Sequence, residues 1–126
     1  MSLRRLFCGT LVGLLVAGFV PLHAQELETA TGNGAVVRVL DKINGEVEDL
    51  SVRNGAYANL WRLQVDLEEC RYPSGNPAGD AFAFLTLHHQ GQEEPLFRGW
   101  MIASSPALNA LDHPRYDVWV IRCTPS

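Results

Sequence analysis

The sequence predicts an all-β domain, a small antiparallel β-sandwich or open barrel of about seven short strands with one short helical turn near residues 106–111. Three observations carry that expectation. The stretch WRLQVDLE, Trp61 to Glu68, alternates apolar and polar residues with a period of two, the pattern of a sheet with one wet face. Asn-Gly pairs at Asn44-Gly45 and Asn54-Gly55 follow β-branched or alternating runs, which is hairpin chemistry. No stretch after residue 24 keeps a 3.6-residue apolar period for long enough to make an amphipathic helix.

At the N-terminus, Arg4 and Arg5 precede an apolar run of 15 residues, Leu6 to Val20, followed by the helix-breaking Pro21 and the small Ala24. This is the layout of a secretory signal peptide, residues 1–24. The run falls short of the roughly 20 apolar residues a spanning helix needs, so no membrane span is expected after cleavage. Cys8 sits near the beginning of the run and leaves with the signal peptide. Residues 25–34 lack apolar periodicity and read as a flexible N-terminal arm, with a single β-domain over 35–126.

Within the domain, Ala35 to Leu40 and Val47 to Val52 form the first hairpin about a turn containing Asp41, Lys42, Asn44 and Gly45. LWRLQVDLEEC follows as one strand, with Trp61, Leu63, Val65 and Leu67 on a single face. Pro73 to Gly79 is a loop on its turn formers. AFAFLTLHH and LFRGWMI make a second hairpin across QGQEEP, and Gly99 inside it marks a bulge or a close backbone approach. YDVWVIRC is apolar on both faces and reads as a central strand. Between these last strands lies ASSPALNALDHP, in which Ser105 suits a helix N-cap, Pro106 a first turn, and Pro114 a stop.

The mature chain carries 8 basic and 14 acidic residues, a balance that argues against nucleic acid or an anionic membrane surface as a partner. Its two cysteines, Cys70 and Cys123, are expected to form a disulfide in an exported protein. A metal pair would be the competing use, but the CxxC spacing of a zinc site is missing.

Candidate chemistry is thin. A serine hydrolase would take Ser104 or Ser105 as nucleophile, His113 as base, and Asp112 or Asp117 as the orienting acid. No GxSxG elbow or SxxK pair accompanies them, and capping and turn formation account for the same residues, so no catalytic residue is assigned. His88 and His89 with His113 would be a metal set, yet neighbours on a strand point to opposite faces, so no metal ligand and no cofactor are expected. Three tryptophans, Trp61, Trp100 and Trp119, are many for a chain of this length, and Trp100 beside Gly99 is expected nearest a functional surface. Pro106, Leu108 and Leu111 offer an apolar knuckle that either docks on a partner or plugs one end of the sandwich.

GWMIASSPALNALDHPRYDVWVIRC, together with VLDKINGEVEDLSV and LEECRY, resembles the exported bacterial family known as domain of unknown function 2155, from about Val36 to Cys123. That resemblance implies no established activity. It implies instead a periplasmic accessory subunit associated with respiratory complex I, the proton-pumping NADH:quinone oxidoreductase. On this basis the expected partner is a membrane protein complex, and the expected contact surface is Trp100, Pro106, Leu108, Leu111, His113, Pro114 and Tyr116. A periplasmic module that binds envelope glycan or a small molecule is the second expectation, with the hydrolase behind it.

Overall fold

The computed structural model describes residue 9, residues 12–18 and residues 27–126. Most of the expected signal peptide lies outside the described residues, and its described part, residue 9 and residues 12–18, has neither helix nor strand. No helix among the described residues is long and apolar enough to cross a membrane.

Among the described residues the fold is all-β, as expected, with eight strands in two antiparallel sheets. They are β1 (Thr29–Thr31), β2 (Gly34–Asp41), β3 (Val47–Arg53), β4 (Ala56–Leu60), β5 (Leu63–Pro73), β6 (Phe82–His89), β7 (Phe97–Ile102) and β8 (Tyr116–Thr124). The larger sheet runs β1-β5-β6-β7, with β4 also on β5; the smaller runs β3-β2-β8. The long β5 accepts β4 along Leu63–Leu67 and β1 along Arg71–Pro73. The sheets face each other, β2 and β3 over β5, and β8 over β5, β6 and β7. Between them lie Val37, Val39, Leu63, Val65, Leu67, Leu85, Leu87, Met101, Tyr116 and Val120, all buried.

Two bulges set which side chains enter that core. On β5, Leu63, Val65 and Leu67 point inward; the register then slips between Leu67 and Glu69, so the next inward residues are Cys70 and Tyr72. On β8, Tyr116, Val118 and Val120 point inward, a slip opposite Val36 and Val37 follows, and Cys123 is inward in turn. An extra residue in a strand reverses the facing of everything after it. Both cysteines thereby reach the interior, where the Cys70–Cys123 disulfide ties β5 of one sheet to β8 of the other, with Cα atoms 5.6 Å apart.

Four expectations are corrected. The segment 25–34 is not all loose arm, because Thr29–Thr31 pairs with β5 and Gly34 opens β2. LWRLQVDLEEC is not one strand, since Trp61 and Arg62 form the two-residue turn between β4 and β5, where Leu60 pairs with Leu63. β8 is an edge strand bonded to β2, and β2, buried along most of its length, is the central strand of that sheet. Residues 106–111 form turns rather than a helical segment: Ser105 accepts one bond from Leu108 N at 3.1 Å, and the progression stops there. A helix would put Leu108 and Leu111 on one face. Instead Leu108 is 74% exposed and Leu111 is 6% exposed, because burying Leu111 and bonding Asn109 to β7 outweighs one more helical turn.

Candidate functional site

The segment joining β7 to β8, residues 103–115, crosses the open side of the sandwich and is fastened at several points. At its start the Asp80 carboxylate accepts from Ser104 N (2.9 Å), Ser104 Oγ (2.6 Å) and Ala81 N (2.9 Å). Midway, Asn109 Nδ2 donates to the Trp100 carbonyl at 2.9 Å. That approach needs Gly99: a Cβ there would stand 2.8 Å from Asn109 Nδ2, so the glycine marks a close approach and β6–β7 pairing continues past it without a bulge. Leu111 then enters the core. The outer side carries Pro106, Ala107 and Leu108, with Trp100 beside them 40% exposed and its ring edge-on to Phe84 at 5.3 Å. Pro106, Ala107, Ala110, Leu111, Val118 and Trp119, with Asp117 as the one charged member, line a mostly apolar groove of about 250 Å³ between the segment and β8.

The far end of the segment is built around His113. Its Nδ1 accepts from Arg115 N (3.0 Å) and Tyr116 N (3.2 Å). Backbone N–H groups cannot turn away, so Nδ1 is the bare nitrogen and the proton of the neutral ring sits on Nε2. From there it donates to His89 Nε2 at 3.0 Å. Burial pushes the His113 pKa below its ordinary value, and the neighbouring His89 and Lys42 push it the same way. Stacked rings continue the cluster: His113 on Tyr116 at 5.3 Å, and Tyr116 on Trp61 at 6.1 Å.

Beneath it lies an ion pair. Arg115 Nε and a terminal nitrogen donate to Asp41 Oδ2 at 3.1 and 2.9 Å, and Asp41 Oδ1 accepts from Ile43 N at 3.0 Å. Asp41 is 1% exposed, and the hydrogen bonds from Arg115 are the main cause of its lowered pKa, outweighing burial. Lys42 completes the join, with Nζ donating to the His113 carbonyl at 2.6 Å and its backbone N to the Arg115 carbonyl at 2.7 Å.

This geometry sorts the residues expected to act. Trp100, Pro106, Leu108 and Pro114 are exposed and His113 is partly so, whereas Leu111 and Tyr116 face the core and support the surface from below. Ser104 and His113 are each committed elsewhere, the serine to Asp80 and the imidazole to His89 and the backbone, so they form no hydrogen-bonded pair. Asp112 is exposed, and Asp117 lies 3.6 Å from Lys42 Nζ. His88 turns toward Asp66 at 3.3 Å while His89 turns toward His113, the opposite facing expected of strand neighbours. Among the described residues no group of three or more His, Cys, Asp or Glu stands ready to hold a metal. Sequence reading missed the roles of Trp61, Asp41 and Arg115. Asp41 alone carried a signal, as an acidic residue closing a strand that is otherwise apolar but for Arg38.

A family model described as "Uncharacterized protein conserved in bacteria (DUF2155)" matches residues 35–123. An uncharacterized protein of Rickettsia prowazekii (strain Madrid E) is 26% identical over 105 residues, 81% of this chain and 66% of that protein. The chain thus spans just under two thirds of that relative's length. No solved structure matches the chain.

Proposed function

We propose, from the premise that this chain belongs to the DUF2155 family of conserved bacterial proteins, that it is an exported, non-catalytic accessory protein which docks through residues 99–116 on a membrane protein complex. One observation carries the reading. Leu108 of the 103–115 segment and Trp100 of the preceding β7 are presented to solvent, and the segment's backbone is fastened by Asp80, Asn109 and Leu111. Apolar side chains held in place before binding lose little conformational entropy on docking, which is how interface anchors are built. The signal-peptide pattern of residues 1–24 and the Cys70–Cys123 disulfide support export to the periplasm. Respiratory complex I is the proposed partner, a choice that rests on the family resemblance and not on geometry.

The experiment is to tag the C-terminus in the native host, solubilise membranes in mild detergent, and identify what co-purifies. Complex I subunits in near-equal amounts would support the reading, and recovery of the protein alone from the soluble periplasmic fraction would overturn it.

A further inference from the structure

We propose that the end of the sandwich where the β4–β5 turn meets the start of the β6–β7 connection binds a saccharide bearing a carboxylate. Trp61 would be its stacking surface, Arg62 the partner of the carboxylate, and His89 and Gln90 the groups that hold its hydroxyls. The inference begins at a backbone anomaly. Trp61 has φ 51°, the left-handed region that a bulky side chain rarely occupies, and it sits at the first position of a two-residue hairpin turn where glycine would be relaxed. Such strain persists where the surroundings hold it, and it gathers at ligand sites. Here the surroundings do hold it: Gln90 Nε2 donates to the Trp61 carbonyl at 2.8 Å, Gln90 N donates to the Arg62 carbonyl at 2.8 Å, and the indole stacks on Tyr116 with an interplanar angle of 11°.

The anomaly borders a recess. Trp61, Arg62, His89, Gln90 and Gln92 line a cavity of about 290 Å³. That is the low end of ligand-pocket size, about 300 Å³, suited to one ring of a longer glycan. Its lining is chosen in kind. His89 Nε2 accepts the His113 proton, so the His89 ring carries its own N–H at Nδ1 and offers it as a donor. Gln90 spends its amide nitrogen on the Trp61 carbonyl and keeps Oε1 as an acceptor. Arg62 is exposed and forms no ion pair among the described residues, and no carboxylate shares the lining although the chain is net acidic. A donor and an acceptor match sugar hydroxyls, an indole matches the C–H face of a pyranose, and a guanidinium matches a carboxylate. A wholly apolar ligand would leave these groups unpaired, and a polyphosphate would find a single cation.

Three probes would be titrated into the full chain, followed by calorimetry and tryptophan fluorescence: the N-acetylglucosamine–N-acetylmuramic acid disaccharide, a glucuronic acid oligosaccharide, and neutral chitobiose. Saturable binding of either carboxylated sugar is expected, weakened about tenfold or more in Arg62→Ala and for chitobiose, since a charged hydrogen bond is lost in both cases. Gln90→Ala should weaken every sugar that binds, and Leu108→Asp, on the docking face, should change none of them. Absence of saturable binding by all three probes, equal binding of all three, or binding unchanged in both Arg62→Ala and Gln90→Ala would each overturn the site.

Discussion

At His113 both ring nitrogens serve the fold, and a measurable pH dependence follows. Nδ1 already accepts two backbone N–H groups, so protonation would set a third N–H against them. Burial, His89 and Lys42 all push the pKa below the ordinary 6.5. The unfolded chain therefore takes up a proton near pH 6.5 that the folded ring refuses, and stability falls as pH drops below that value and recovers above it. The Asp41 carboxyl pKa is lowered as well, by its hydrogen bonds from Arg115, so its contribution is also lost toward acid, but only below the ordinary 3.8, and the two windows separate. Thermal melts across pH 6.5 should show a shallower acid slope in His113→Asn, whose amide oxygen can still accept the Arg115 N–H; equal slopes would refute the assignment. Gly99 makes a second prediction at this scale. An alanine Cβ there collides with the Asn109 amide and displaces its bond to the Trp100 carbonyl, a loss of about 0.5–1.5 kcal/mol by urea unfolding. Amide exchange should accelerate in residues 103–110 while β5 and β6 stay protected.

Among the elements, β5 and β8 carry the fold's main constraint. Their bulges bring Cys70 and Cys123 together, and the bridge closes a loop whose ends are 53 residues apart in sequence. Removing a crosslink of that span with Cys70→Ser and Cys123→Ser should cost about 4 kcal/mol, seen as a lower urea midpoint that dithiothreitol does not shift further. These elements also separate what was legible in sequence from what was not. Period-two alternation in β5 and β8 gave the sheets, and the compartment argument gave the disulfide, because both depend on local pattern or residue type. The position of β8 at an edge was not legible. Trp119 and Ile121 make the strand apolar on both faces, yet edge position depends on which strands pair, a long-range outcome. Trp61 misled in the same way: its apolar character extended the β5 alternation, while the chain turned there at a positive φ that the stack on Tyr116 and the two bonds from Gln90 help to hold. The 106–111 turns escaped because a six-residue helix gains too little to compete with burial of Leu111.

Over the whole molecule, the 103–115 segment is a cover before it is a surface. It spans the open side between β7 and β8, sends Leu111 inward and leaves Leu108 outside, so the same stretch closes the core and, with the exposed Trp100 of β7, supplies the proposed docking face. The two roles separate experimentally because they use different side chains. Leu108 is 74% exposed and Trp100 40% exposed, and exposed substitutions usually stay within about 0.5 kcal/mol. Some edge-on packing on Phe84 is lost with the indole, so the double variant Leu108→Asp, Trp100→Ala should keep a cooperative melt at a slightly lower midpoint. Its docking should fare far worse, since an interface anchor is worth about 2 kcal/mol or more and a buried aspartate adds a desolvation cost. The expected outcome is a folded protein with its disulfide intact that no longer co-purifies with the membrane complex. Undiminished co-purification by that folded variant would overturn Leu108 and Trp100 as the anchors of docking, because Leu111 and Tyr116 are buried and these two are the large exposed apolar side chains of residues 99–116.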